Sequence, residues 1–260
     1  MRDSGPRVEL AEVERWLDWL YIAADGAGLR AEDRRKAVEV TAMLGEIGRP
    51  LPRFSRRKPL LLVDAAAGKS YLGLLAARLL LAPSGREARV IALERDPSRT
   101  EAARLAAGRL DCRIPIECRT ADVGDPAAWP DEPSLVAALH GCGRASDVIL
   151  DRCVACRARV LLLVPCCTGR EVAAASAAEE DARRRGIPPH APVRRRYLQA
   201  MIDAERTWRL EAAGYETEVV EFVGATVTPH NLLWRARRVM EPARMARAQQ
   251  AMTALFPRSP

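Results

Sequence analysis

The chain has 260 residues, with 41 Lys and Arg against 34 Asp and Glu, which gives a formal charge of +7. Hydrophobic residues make up 48% and charged residues 29%, values that are typical of a globular protein and exclude a disordered or fibrous chain. No apolar run has the length of a membrane helix, and the N-terminus lacks the apolar stretch of a secretory signal. We therefore expect a cytoplasmic protein without a membrane partner.

Two helices are predicted first. Apolar and aromatic side chains at helical spacing predict one over residues 7–23, and a second is predicted over residues 31–47. The connector RPLPRFSRRKP follows, and its prolines cannot continue a helix. We divide the chain into an N-terminal helical extension with a basic linker (1–58), a central domain (59–241) and a C-terminal helical tail (242–260).

Strands then alternate with helices. Five short apolar strands are predicted at residues 60–63, 89–93, 114–118, 135–139 and 160–164. Helices are predicted over residues 71–81, 98–110 and 147–156. This alternation indicates an α/β fold with a parallel sheet covered on both faces. Two more helices and an antiparallel strand pair are predicted at residues 170–186, 193–213, 216–223 and 232–239, so the sheet has seven mostly parallel strands.

The segment LLLVDAAAGKSY, residues 60–71, reads as strand, tight turn and helix, a design that places backbone N–H groups beside a nucleotide. A P-loop is one alternative, since Gly68-Lys69-Ser70 matches its end. Val63 stands where its first glycine belongs, however, and the charge of Asp64 opposes a triphosphate. A dinucleotide loop is a second alternative, but its G-x-G-x-x-G pattern is absent.

A third alternative is an S-adenosylmethionine site. Asp64 ends the first strand, where a carboxylate favours the ammonium and sulfonium of that molecule. Glu94 ends the second strand and would accept hydrogen bonds from ribose hydroxyls, and Asp122 follows the third, near the adenine amine. Each acid alone is also explained as a helix cap, but three at successive strand ends favour the cofactor site.

Four segments, DAAAGKSYL, LHGCGRASD, VPCC and TPHN, resemble the class I methyltransferase group that includes the eukaryotic tRNA acceptor-stem 2′-O-methylases. The resemblance spans roughly residues 55–239 and implies a Rossmann-like methyltransferase fold with S-adenosyl-L-methionine as cofactor. The cofactor-binding residues it implies are Asp64, Ala66, Gly68, Lys69, Tyr71, Glu94, Asp122 and His140. Those implied on the methyl-transfer side are His140, Cys142, Asp147, Cys166 and Cys167.

The chain also departs from the tRNA enzymes. It has no Cys/His zinc-finger segment before the core, and Thr168-Gly169 rather than a histidine follows the paired cysteines. The resemblance therefore carries the fold and the cofactor but not the substrate.

Two mechanisms stay open for the predicted catalytic residues. A ribose hydroxyl is a weak nucleophile, so His140 or Lys69 would assist as a base, although His140 is equally explained as a structural histidine. Cys142 with Cys166 or Cys167 occupies the positions of the cysteines in RNA cytosine-C5 methylases, where a thiolate adds to the pyrimidine. The acid and proline that precede the first of those cysteines are missing here.

Cys153 and Cys156 form a CxxC pair, which suggests zinc. They fall on a predicted helix among apolar residues, so we interpret them as buried thiols and predict no metal site.

The region after the fifth strand is rich in arginine. Residues 181–200 contain six Arg against one Asp, and residues 231–260 contain six Arg against one Glu. We predict that this wall binds RNA through Arg194, Arg195, Arg196, Tyr197 and Asn231. A solvated helix face explains the same charges.

The predicted function is an S-adenosylmethionine-dependent methyltransferase that acts on RNA, either tRNA or rRNA. A methyltransferase of a small metabolite is the main alternative. A P-loop nucleotide-binding protein or a non-enzymatic binding module is favoured less, because all three strand-end acids are present.

Overall fold

The computed structural model describes residues 8–22, 28–141, 143–165, 169, 171–228 and 230–256. Seven strands form one sheet in the order β3-β2-β1-β4-β5-β7-β6. In chain order they are β1 Leu60–Ala65, β2 Ala88–Glu94, β3 Ile116–Thr120, β4 Leu135–Leu139, β5 Val160–Val164, β6 Tyr215–Glu221 and β7 Leu232–Arg238. The predicted seven-stranded α/β fold is confirmed.

The helices in the described residues also follow the predicted order. They are α1 Leu10–Tyr21, α2 Ala31–Gly48, α3 Tyr71–Ala76, α4 Pro97–Arg109, α5 Arg144–Ala155, α6 Ala175–Arg184, α7 Ala191–Ala212 and α8 Pro242–Leu255. A π-helical turn, Ala77–Leu81, continues α3. Helix α6 begins later than predicted because its approach is a turn, in which the N–H of Ala175 bonds the carbonyl of Val172.

The strands β1 to β5 run parallel, while β7 pairs antiparallel with both β5 and β6. The carboxyl ends of β1 to β5 therefore meet at one edge of the sheet, which we call the carboxyl edge. Strand β1 is longer than predicted and includes Asp64, which pairs with Ala92 of β2 and Ala137 of β4. The loops that follow the parallel strands lie together at this edge.

The core has one layer on each face of the sheet, because side chains alternate along a strand. Leu60 and Leu62 of β1 pack with α1 to α3 on one face, whereas Val63 and Ala65 pack with α5 and α7 on the other. Near-continuous apolar strands are what this double burial requires.

The first two helices pack into the same core as the sheet. Val13 and Leu17 of α1 and Val40 and Met43 of α2 are buried there. Helix α8 lies along α7 and buries Ala248. The boundaries at residues 58 and 241 stay predictions. Over the described ranges, no helix is both long enough and apolar enough to traverse a bilayer.

Candidate functional site

The loop of residues 66–70 joins β1 to α3 through alternating left-handed residues. Ala66, Gly68 and Ser70 have φ values of 55°, 59° and 57°. Gly73, in the first turn of α3, has no room for a side chain, because a Cβ would lie 2.7 Å from Ser70 Oγ and 2.9 Å from Asp64 Oδ2. Small residues therefore let the helix start pack directly against the end of β1.

Asp64, at the end of β1, is hydrogen-bonded to the end of this loop and to the first turn of α3. Its Oδ2 accepts hydrogen bonds from Ser70 Oγ and from the backbone N–H of Gly73, each at 2.9 Å. The carboxyl is buried, and burial raises its pKa to about 7, although these two hydrogen bonds oppose the rise. The nearby charge of Glu94 raises the pKa further.

Glu94 lies at the end of β2 and joins two loops. Its Oε2 accepts from the N–H of Gly68 at 2.8 Å, and its Oε1 accepts from the N–H of Asp96 at 2.9 Å. An ionised carboxylate has about four lone-pair sites, so acceptor capacity remains for a ligand hydroxyl. Asp122, beyond β3, accepts from the N–H of Gly124 at 2.7 Å. The structure thus places the three predicted acids at the carboxyl edge.

Two tyrosines lie beside the loop. The hydroxyl of Tyr21, at the end of α1, donates to the carbonyl of Lys69 at 2.7 Å. Its ring packs edge-on against Tyr71, with 4.5 Å between centroids. Burial raises the pKa of Tyr21, so this phenol stays protonated as a donor. Helix α1 therefore contacts the predicted cofactor loop, which the sequence did not indicate.

His140 follows β4, between the predicted donor loops and β5. Its Nε2 lies 2.8 Å from Oε2 of Glu39, a buried residue of α2. Lys36 contacts the same carboxylate oxygen at 3.2 Å. Burial alone would raise the pKa of Glu39, but the hydrogen bond from His140 and the charge of Lys36 hold it below its ordinary value. Glu39 is therefore ionised at neutral pH.

This pairing fixes which imidazole nitrogen carries a proton. An ionised carboxylate accepts hydrogen bonds and donates none, so Nε2 of His140 is protonated when the ring is neutral. The basic lone pair is then on Nδ1. A carboxylate that orients a histidine in this way is the arrangement that general-base catalysis uses.

The predicted catalytic residues Cys142, Cys166 and Cys167 lie outside the described residues. Cys153 and Cys156 are buried in the core between the sheet and α5. Burial raises the pKa of both thiols, which keeps them protonated and unreactive.

Asp147, in the first turn of α5, joins three parts of the chain. One oxygen accepts from Arg206 Nε at 3.0 Å and Arg209 Nη2 at 2.9 Å, and the other accepts from the N–H of Ala173 at 2.9 Å. Arg206 is fully buried and Asp147 nearly so. This carboxylate, which the resemblance places on the methyl-transfer side, thus holds α7 and the approach to α6 in place.

The predicted substrate wall is partly neutralised. Arg194 donates to Glu179 Oε2 at 2.9 Å and to the carbonyl of Ile187 at 2.9 Å. The hydroxyl of Tyr197 donates to Asp181, and this bond, with those from Arg185 and Arg184, lowers the pKa of Asp181 to about 2. Phosphate binding by Arg194 would require that its guanidinium leave Glu179.

Arg195 and Arg196 differ from these neighbours. Both are exposed, and neither has an ion-pair partner in the described part of the chain. Their charges are therefore available to a ligand.

Asn231 lies beside a cavity of about 230 Å³ between α7 and the start of β7. Its Nδ2 donates to the carbonyl of Val223 at 2.7 Å. His230 and Gln199 also line the cavity, with 3.1 Å between Nδ1 and Nε2. Asp203 faces it, and burial raises the pKa of this carboxyl to about 6 while the charge of Arg206 opposes the rise. The cavity lies at the carboxyl edge, next to Pro165 after β5.

Sequence reasoning missed Tyr21, Glu39 and Asp203. Glu39 is 101 residues from His140, and its helical pattern resembles that of any partly charged helix. Periodicity predicts the helices that carry these side chains but does not predict which of their polar residues are buried.

Comparison with known proteins agrees with this geometry. A family model described as "Methyltransferase domain" matches residues 35–174, more than half of the chain. The match begins inside α2, before Glu39, and ends beyond β5. No curated protein matches the chain significantly.

Solved structures give the fold. The magnesium protoporphyrin IX methyltransferase of Synechocystis PCC 6803 with bound SAH is 13% identical and has a TM-score of 0.51, over 86% of this chain and 93% of that chain. The same enzyme with bound SAM is 15% identical, with a TM-score of 0.47 over 92% and 98%. A ribosomal protein L11 methylase from Lactobacillus delbrueckii subsp. bulgaricus is 13% identical, with a TM-score of 0.44 over 79% and 80%. At this identity, the first of these supports the fold alone, and the likeness to tRNA 2′-O-methylases stays a prediction.

Proposed function

The chain belongs to the Methyltransferase domain family, and from that premise we propose that it transfers a methyl group from S-adenosylmethionine to RNA in the cytoplasm. The predicted enzyme class, a methyltransferase, is confirmed by the family. The RNA acceptor, the cytoplasmic location and the roles of individual residues are the proposal.

One observation carries the donor side of the proposal. The buried carboxylates of Asp64 and Glu94, from adjacent strands, both accept from backbone N–H groups of the loop and helix start at residues 68–73. Because backbone N–H groups carry no net charge, they leave the charge of Glu94, and that of Asp64 above its pKa of about 7, for a cationic ligand. The remaining acceptor sites of Glu94 suit a pair of ribose hydroxyls.

S-adenosylmethionine, when bound, supplies an electrophilic methyl group on a sulfonium. The residues that would hold it are Asp64, Ala66, Gly68, Lys69, Tyr71, Glu94 and Asp122. The task of the chain is then to align the acceptor, exclude water and remove a proton where the acceptor is a weak nucleophile. His140 Nδ1 is our candidate base, and Glu39 is the positioning residue that fixes its tautomer.

The RNA acceptor rests on the charge of the α7 end of the molecule. Arg195 and Arg196 are exposed and have no carboxylate partner in the described ranges, and they precede Gln199, which lines the cavity beside Asn231, by four and three residues on α7. Arginine forks suit phosphates. A small-molecule acceptor is the second candidate, and the cavity favours it. Its volume of about 230 Å³ lies below the ~300–1,000 Å³ of drug-sized sites and fits one ring system.

The donor site is tested by Glu94→Ala. Loss of two or more charge-assisted hydrogen bonds should weaken S-adenosylmethionine binding about tenfold to a hundredfold in titration calorimetry. Glu117→Ala, at an exposed carboxylate of β3, is the matched control. Equal affinity of both variants would remove Glu94 from the site.

The acceptor is tested by mass spectrometry of nucleosides from cells with and without the protein. Loss of one methylated nucleoside from tRNA or rRNA supports RNA as the acceptor. Unchanged nucleosides, with methyl transfer into a small-molecule extract, would establish the alternative.

A further inference from the structure

The basic linker of the sequence has no role in the donor or acceptor sites. It lies at the opposite end of the parallel strands, where β1, β2, β4 and β5 begin, which we call the amino edge. A strand of six residues spans about 20 Å, so this edge is about that far from the predicted donor loop.

Six exposed cations lie together at the amino edge. Lys58, Arg89 and Arg159 line a groove of about 460 Å³ there, and Arg53, Arg56 and Arg57 precede Lys58 in the loop. We call these six residues the amino-edge patch. Phe54 lines the same groove, with its ring packed against the core.

The patch retains its charge. Within the described ranges, none of its six cations has a carboxylate partner within ion-pair distance. Of the two glutamates that line the groove, Glu132 pairs with Arg157 at 3.2 Å, and Glu87 is exposed. The nearby arginines of β7 behave differently, because Arg235 pairs with Glu46 and Glu218, and Arg237 with Glu216. Six cations against the exposed carboxylate of Glu87 leave the amino edge positively charged, and a positively charged surface attracts a polyanion.

The loop that carries the patch is held in one shape. The guanidinium of Arg86 donates to the carbonyl of Leu51 at 3.0 Å and to that of Ser55. Pro52 and Pro59 restrict the backbone further, and the N–H of Leu60 bonds the carbonyl of Glu87 at 2.9 Å. A preorganised cationic loop loses less conformational entropy on binding than a flexible one.

The shape of the patch indicates an extended ligand. Its cations come from a loop and two strand starts, and three of them line a groove that is partly open to solvent. A single phosphate group is held by convergent donors, whereas cations spread over three segments of the chain suit the repeating phosphates of a nucleic acid strand. We propose that the amino-edge patch is a second RNA contact, which binds the phosphate backbone of the substrate away from the donor site. This inference rests on the proposed function for the identity of the polyanion.

The test compares two double variants that change the net charge equally. Arg56→Glu/Arg57→Glu alters the patch, and Arg15→Glu/Arg35→Glu alters two exposed arginines on α1 and α2 that have no carboxylate partner in the described ranges. Binding of bulk tRNA and of a short single-stranded RNA is measured between about 50 and about 200 mM salt. The patch variant should bind RNA at least tenfold more weakly at low salt. Its plot of log K against log salt should be less steep, with the magnitude of the slope smaller by about 1.5. The control should keep the wild-type slope.

Other variants separate the explanations. Arg56→Lys/Arg57→Lys keeps the charge and should keep the salt slope. Equal RNA binding by the patch variant and the control would overturn the inference, as would absence of RNA binding by the wild type. Displacement of RNA by heparin and by duplex DNA at equal concentrations of negative charge would also overturn it, because the surface would then bind polyanions without preference.

The outcome is separable from that of the proposed function. If the patch variant loses RNA binding while no nucleoside depends on the protein, the patch stands and the RNA acceptor fails. If the wild type methylates RNA and the patch variant has unchanged kcat and KM for RNA, the proposed function stands and the patch fails. With both correct, KM for RNA rises and kcat at saturating RNA is retained.

Discussion

The two halves of the sheet use their buried carboxylates in different ways. On the donor half, β1 to β3, Asp64 and Glu94 accept hydrogen bonds from backbone N–H groups and from Ser70. On the acceptor half, β4, β5 and β7 with the helices beside them, Asp147 and Asp181 are paired with arginines. Within the described ranges, Asp64 and Glu94 therefore have no cationic partner, and Asp64 becomes negatively charged above its pKa of about 7. Asp147 and Asp181 are instead neutralised by the arginines that they hold in place.

Ion pairs reduce the positive charge that the arginine-rich α6–α7 region presents to a ligand. The charge counted along residues 181–200 overstates what an RNA would meet, because Arg194 and Arg185 are bound to carboxylates. Within the described ranges, the exposed cations that have no carboxylate partner include Arg195, Arg196 and the six of the amino-edge patch. The charge that is available to a partner therefore depends on which arginines are paired with carboxylates in the folded chain.

The largest expected effect is on the acceptor half. Asp147→Asn removes the charge that accepts from Nε of the fully buried Arg206, and it leaves Asp203, 3.7 Å from Nη1, as a remaining carboxylate beside that guanidinium. A buried charged donor that loses its hydrogen-bonded partner costs about 1–3 kcal/mol, so the free energy of unfolding in urea should fall by that amount. Asp151→Asn, at an exposed partner of Arg209, should cost less than about 1 kcal/mol. Equal losses would show that the pairing at Asp147 contributes no more than a surface pair.

The second-largest expected effect is on kcat, through Glu39, whose carboxylate contacts His140. Glu39→Gln removes the charge that orients His140 and should lower kcat about tenfold to a hundredfold, with S-adenosylmethionine affinity unchanged. A positioning role also predicts a split between the kinetic constants, with kcat lowered and KM for S-adenosylmethionine unchanged. Lys36→Met, on the other side of the same carboxylate, is the control and should change kcat much less. Unchanged kcat in Glu39→Gln would exclude the positioning role.

Much of the fold and of the donor half could be predicted from the sequence. Apolar runs of four or five residues between helical patterns predict a parallel sheet, since a strand buried on both faces has no polar alternation. Acids at strand ends then converge because parallel carboxyl ends share an edge. The sequence alone therefore predicts that Asp64 and Glu94 are neighbours at the carboxyl edge.

The acceptor half could be predicted only in part. The contacts of Asp181 with Arg184 and Arg185 follow from spacings of three and four residues on a helix. The bonds from Arg194 to Glu179 and from Arg206 to Asp147 join different helices, and no local spacing encodes them. The Glu39–His140 pair likewise joins residues that are 101 positions apart, so no local spacing encodes it. Long-range polar pairs depend on how helices pack, which hydrophobic periodicity leaves undetermined.

A smaller effect concerns pH and the donor half. Burial raises the pKa of Asp64 to about 7, so this carboxyl is protonated below that pH and ionised above it. A bound ammonium or sulfonium favours the ionised form, so binding below pH 7 must release a proton. Affinity for S-adenosylmethionine should therefore rise from pH 5.5 to 7.5, at most tenfold per pH unit, and then level off. Asp64→Asn should abolish the rise, and a rise that survives this substitution would assign it to another group.

The smallest effects separate neighbouring arginines on α7. Arg194→Ala removes an ion pair whose glutamate is about half exposed, so it should cost less than about 1 kcal/mol of unfolding free energy and leave RNA affinity almost unchanged. Arg195→Ala/Arg196→Ala should do the opposite, with stability retained and RNA bound several-fold more weakly at low salt. Filter binding and urea unfolding of the same preparations measure both quantities. If Arg194→Ala weakened RNA binding as much as the exposed pair, its guanidinium would have to leave Glu179 on binding. The Arg194–Glu179 ion pair would then exist only in the protein without bound RNA.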